Sequence, residues 1–138
     1  METTETPVPL VRRRPRASLW VLRGLLTAHV VAVLCQPVLA GLFLTGNVDA
    51  IEVHAFVADI VYGIAAAAAV AAGVYVFRGR GRVWILPTTV LLLFVEGLQI
   101  PLGYDRQLQW HIPLGVAIVT SAVVLVIWVW GPSAGRSR

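Results

Sequence analysis

The chain has 138 residues, of which 58% are hydrophobic and only 13% charged, against about 25% charged in soluble domains. All eleven cationic side chains are arginine, seven are acidic, and the net charge is +4. This excludes an ordinary soluble domain, and the basic excess matches anionic lipid headgroups better than nucleic acid.

In chain order, residues 1–18 are polar, proline-containing and basic, and are expected to form a disordered cytoplasmic tail. Four apolar runs follow at 19–44, 51–77, 83–104 and 112–130. Each meets the roughly 20 residues needed to cross about 30 Å of hydrocarbon. Backbone groups in lipid must be satisfied internally, so each run is expected to be a helix. The first run is too long for a cleavable signal and lacks its small-residue cleavage site. It carries Pro37 and the single cysteine, Cys35, which has no partner for an internal disulfide and reads as a small buried apolar residue. The second run contains GIAAAAAVAAG at 63–73, a small-residue stretch that lets helices approach closely. RGRGR at 78–82 reads as a tight turn; its glycines follow no strand and fit no nucleotide fingerprint. Pro101 lies near the exit of the third run, and Pro113 is expected in the first turn of the fourth helix, with His111 at or just before its start. Residues 131–138 read as a polar cytoplasmic tail.

Arginine sets the expected orientation. Ten of the eleven flank the first run, lie in 78–82 or end the chain; only Arg106 joins Asp49, Glu52 and Asp105 in the other two connections. The positive-inside rule then places both termini in the cytoplasm. Trp20, Trp84, Trp128 and Trp130 would mark the inner interface, and Tyr104 and Trp110 the outer one. The expectation is an all-α, integral membrane antiparallel four-helix bundle, multi-pass in a bacterial-type plasma membrane.

Within this apolar chain a polar plan appears twice. LCQPVLAGLFLTGNVDAIEVHAF (34–56) and LQIPLGYDRQLQWHIPLG (98–115) each run Gln, Pro, Gly, an acidic loop and His. Gln36, Pro37, Gly41 and His54 mark the first unit; Gln99, Pro101, Gly103 and His111 mark the second. Polar side chains inside a bilayer are expensive and face the bundle interior. His54 and His111 would lie at one depth, on facing helices, as two axial ligands of a haem iron require. Ala58, Gly63, Ala65, Gly115 and Ala117 would leave room for a flat ring. Zinc held by His54 with Glu52, Asp49 or Asp105 is a competing reading. Glu96, Asp59 and Gln36 could handle protons or the polar groups of a bound haem or quinone, or simply join a network between helices. Gln36 and Gln99 could bond such a ligand or a carbonyl freed by proline. His29, deeper and alone at its level, is expected to bond a helix carbonyl or a polar side chain.

QPVLAGLFLTG…IEVH and LQIPLGY…LQWHIPLG resemble the repeated halves of the haem A synthase family, over about residues 25–120. In that family each half is a four-helix bundle with a histidine pair at its outer end, and one half binds haem b. The resemblance implies His54 and His111 as haem ligands, with Glu52 answering to an acidic residue beside a ligand histidine. The family has eight helices and, in many members, paired outer-loop cysteines; this chain has four runs and lacks the cysteines. Its oxidation of haem O is therefore not carried over. What is expected is a small cytochrome b-like protein that transfers electrons or handles haem near the outer face. His54 and His111 would hold the iron, and Gln36, Gln99 and Gly103 would line the cofactor site. Glu96, Asp59 and Glu52 are candidates for proton handling. A homodimer restoring eight helices, a larger membrane complex, and a quinone or other redox partner are the associations considered. The alternatives are a cofactor-free accessory or assembly subunit, or a small transporter component using Glu96 and Asp59.

Overall fold

A computed structural model describes residues 17–136. Four helices make up almost all of it: α1 (Ala17–Leu44), α2 (Ala50–Phe77), α3 (Ile85–Tyr104) and α4 (Leu108–Trp130). All four are long and apolar enough to cross a membrane. A single 3-10 turn, Pro132–Gly135, follows. Helices α1 and α3 each pack against both α2 and α4. The four therefore stand at the corners of a square, with α1 across from α3 and α2 across from α4.

All four helix starts and the C-terminal segment differ from the sequence expectation, α2 by one residue (Ala50) and α3 by two (Ile85). Helix α4 begins at Leu108 rather than 112, because the connection after Asp105 is short. Pro113 therefore sits inside the helix, beyond the first turn, and deprives the Gln109 carbonyl of its usual helical donor. Helix α1 already includes Ala17 and Ser18, while the rest of the expected N-terminal tail, residues 1–16, lies outside the described residues. The segment after α4 docks rather than trailing away: Ala134 is buried, and its carbonyl accepts a 2.8 Å bond from the Tyr75 hydroxyl. Residues 137 and 138 lie outside the description.

The bundle is packed tightly at one end and loosely at the other. On α1 the buried residues run from Leu19 to Val33, on α3 from Ile85 to Glu96 and on α4 from Ile118 to Val129. On α2 all but Ala50 fall from Val61 onward. The packed end is the one that carries the 78–84 connection. There Ala68 and Ala72 of α2 belong to one core with Leu19, Leu22 and Leu26 of α1 and Leu125 and Val129 of α4. The small side chains permit close approach of the backbones.

The same end gathers the aromatics. Trp84 meets Trp128 edge-on at 4.6 Å, and Trp20 meets Trp130 at 5.6 Å. Arg23, expected as a flanking charge, is buried instead. Its guanidinium carbon lies 4.9 Å from the ring centres of both Trp20 and Trp130, and its Nε donates to the Val129 carbonyl at 2.9 Å. Two aromatic faces and a helix C-terminal carbonyl replace water around the cation. In RGRGR the glycines are explained by packing. A Cβ on Gly81 would fall within the Tyr75 ring, and one on Gly79 would meet the Tyr75 carbonyl.

Candidate functional site: a two-histidine cleft

The loosely packed end holds an open cavity of about 290 Å³, just below the roughly 300–1,000 Å³ usual for ligand sites. Leu44 and Tyr104, from the last turns of α1 and α3, line it together with Ile51 and Leu108, from the first turns of α2 and α4. The lining is overwhelmingly apolar. Its polar members are Gln36, His54, Glu96, Gln99, His111 and Tyr104.

Four of these form two matching clamps. Gln36 Nε2 donates to the His54 carbonyl at 3.2 Å, and His54 Nδ1 bonds the Gln36 carbonyl at 3.2 Å. Gln99 Nε2 donates to the His111 carbonyl at 2.8 Å, and His111 Nδ1 bonds the Gln99 carbonyl at 3.0 Å. Each unit thus locks its outgoing helix to its return helix by the same reciprocal pair of bonds. The glutamine amides bond histidine carbonyls, not the carbonyls freed by Pro37 and Pro101. Because each glutamine pairs with its own histidine, Gln36 and Gln99 share one layer, although counting residues from the helix ends puts Gln36 deeper.

The clamps fix the imidazole tautomer. A carbonyl oxygen can only accept, so each Nδ1 must carry the hydrogen, and in the neutral ring each Nε2 then has a bare lone pair. A metal-ligating imidazole has this arrangement, its other nitrogen donating to a backbone carbonyl. The two rings, from α2 and α4, have centroids 6.2 Å apart and planes inclined at 52°. With metal–nitrogen bonds of about 2 Å, two imidazoles on opposite sides of one metal have ring centres roughly 6.3 Å apart.

Small residues hold this layer open. Ala40, Ala58, Gly103 and Gly115 line the cavity. A Cβ on Gly103 would come within 2.9 Å of the His111 ring, and one on Gly115 within 3.0 Å of Gln99 Nε2. Ala58 and Gly115 thus lie where the sequence reading wanted space. Gly63 and Ala117 are exposed, and Ala65 is buried in the packed end; these three do not line the cavity.

Of the acidic candidates, only Glu96 enters the cleft. Asp59 and Glu52 are exposed, as are Asp49 and Asp105. Among the described residues no three His, Cys, Asp or Glu side chains come together as a metal-binding group, so the geometry offers no tetrahedral zinc set. Cys35, expected to be buried, is instead exposed, and its thiol donates to the Val31 carbonyl in its own helix. His29 finds its partner in a side chain, Glu96, at 2.7 Å. The sequence reading left this pair unconnected, because it placed the two residues on separate helices at separate depths. No protein-family model, curated protein or solved structure matches the chain.

Proposed function

We propose that this chain is a small membrane haem-b-binding protein of the cytochrome b type, in which His54 and His111 would hold one iron. The observation that carries the reading is the pair of imidazoles 6.2 Å apart across the bundle, each held by a backbone carbonyl in the tautomer that leaves Nε2 free to ligate. Haem supplies one-electron chemistry when bound. The chain's own contribution is to orient two imidazoles, to keep an apolar cleft around them, and to hold that cleft open with Ala40, Ala58, Gly103 and Gly115. Gln36 and Gln99 fix the histidine backbones from the neighbouring helices. The resemblance of the two Gln-to-His units to halves of haem A synthase agrees with this assignment.

The helices are read as an antiparallel bundle in a plasma membrane. The arginine-rich 78–82 turn and both termini lie on the cytoplasmic side, and the acidic connections 45–49 and 105–107 lie outside. The cleft then opens toward the outer face, where electrons or haem would be exchanged with a partner.

The test is spectroscopic. The protein purified in detergent is expected to carry one non-covalent haem b per chain, with a Soret band and sharpened bands on reduction. His54→Ala and His111→Ala are each expected to abolish the low-spin spectrum. A wild-type protein that takes up no haem, or low-spin spectra unchanged in both variants, would refute the assignment.

A further inference from the structure

Where the cleft ends, two titratable side chains meet in the bundle interior. His29 Nε2 and Glu96 Oε1 are 2.7 Å apart, with the side chains 1% and 4% exposed. That distance is typical of a charge-assisted hydrogen bond. The outward-facing atoms of the pair, His29 Nδ1 and Glu96 Oε2, are buried and have no hydrogen-bond partner among the described residues. Glu96 lines the histidine cleft. His29 is packed in the bundle interior with Thr89 and Leu92. A bond serving only to join helices needs no ionisable group, and buried ionisable groups with unmet hydrogen-bonding capacity are costly in a membrane interior. By helical rise Glu96 stands only about 4.5 Å below Gln99 along α3, one turn beneath the layer of the two histidines.

We propose that Glu96 and His29 form a single proton-binding site coupled to the cleft, taking up one proton for each electron accepted by iron held between His54 and His111. The inference rests on the haem reading above. In the oxidised protein the pair is a carboxylate accepting the Nε2–H of a neutral imidazole. On reduction one electron arrives from an external one-electron donor, and one proton arrives from water entering the open end of the cleft. The proton is given up by hydronium: one of its O–H bonds breaks, leaving water, as a new O–H or N–H bond forms within the pair. One negative and one positive charge enter together, so the net charge of the low-dielectric interior is conserved, which avoids the cost of an unpaired buried charge.

Apart from His54 and His111, which line the same cleft as Glu96, no competing group among the described residues faces the pair. From α2, Tyr62 lies against Gly97 but is exposed, and Asp59 is exposed. On α4 there is no titratable residue between His111 and the end of the helix. On α1, Arg23 is engaged with Val129 and two tryptophans, and Cys35 is exposed. On α3, the only other titratable residue is Tyr104, exposed at the far end.

The experiment is a redox titration of the haem bands of the full chain in detergent, at a series of pH values spanning ordinary carboxyl and histidine titration. In wild type the midpoint potential is expected to fall by about 59 mV for each tenfold drop in proton concentration, the one-electron, one-proton value, over part of that range. In Glu96→Gln, and independently in His29→Gln, the low-spin bands are expected to persist while the potential becomes insensitive to pH. Reduced-minus-oxidised infrared spectra of wild type are expected to show a carboxyl or imidazole signal that disappears in Glu96→Gln. A flat wild-type profile, or the wild-type slope retained in Glu96→Gln, overturns the proton site while leaving the haem assignment standing. Absence of haem bands from the wild-type protein overturns both.

Discussion

At the scale of single residues, the cleft is governed by reciprocal Gln–His bonds and by the glycines that make room for them. Gln99→Leu removes the amide that holds the His111 carbonyl. It is expected to lower stability by about 0.5–1.5 kcal/mol and to weaken haem retention, measured by thermal unfolding and haem loss in detergent. Gly103→Val is expected to act more strongly on the haem spectrum than on folding, because the added atoms press directly on the His111 ring. His54, His111, Gln36, Gln99 and Gly103 were all legible in the sequence, since the motif repeats around them. The His29–Glu96 contact was not: the two residues are 67 apart in sequence, and nothing local says that one reaches the other.

At the scale of the element, each helix presents one stripe inward. On α3 it runs Ile85, Thr89, Leu92 and Glu96, then continues as Gln99 and Gly103 at the same three- and four-residue steps. On α4 the stripe runs His111, Gly115, Ile118, Ala122, Leu125 and Val129, and on α1 it includes His29, Val33, Gln36 and Ala40. This seven-residue period is the signal that sorts the acidic residues. Glu96 lies on its stripe, whereas Asp59 lies beside the stripe His54, Ala58, Val61 and Ala65 of α2 and is exposed. Depth counted along a helix does not contain that information; the angular position around it does. Connections are constrained as tightly as stripes. Gly81→Ala is expected to cost about 1–3 kcal/mol by overpacking against Tyr75. Gly24→Ala, where a Cβ meets nothing within 4 Å, is expected to be close to neutral or stabilising in the same thermal unfolding assay.

At the scale of the whole molecule, the division of labour between the two ends is the main result. Four helices long and apolar enough to span a membrane follow from composition and run length, and the sequence announced them plainly. It placed the alanine run, the tryptophans and the two histidines, but it did not announce how sharply the two ends would differ in packing, or that Arg23 would be buried at the closed end. That contrast arises from which residues meet across the square, a property of packing rather than of any one segment. The closed end holds most of the buried core, and the open end holds the cavity lined by the two histidines. The most direct measurement is low-temperature electron paramagnetic resonance of the ferric protein, in wild type and in His111→Gly. Wild type is expected to show a low-spin, bis-imidazole iron; His111→Gly should turn high-spin, with added imidazole restoring the low-spin signal by filling the vacated position. A high-spin wild-type signal, or a low-spin signal that survives His111→Gly without added imidazole, would contradict the two-histidine assignment.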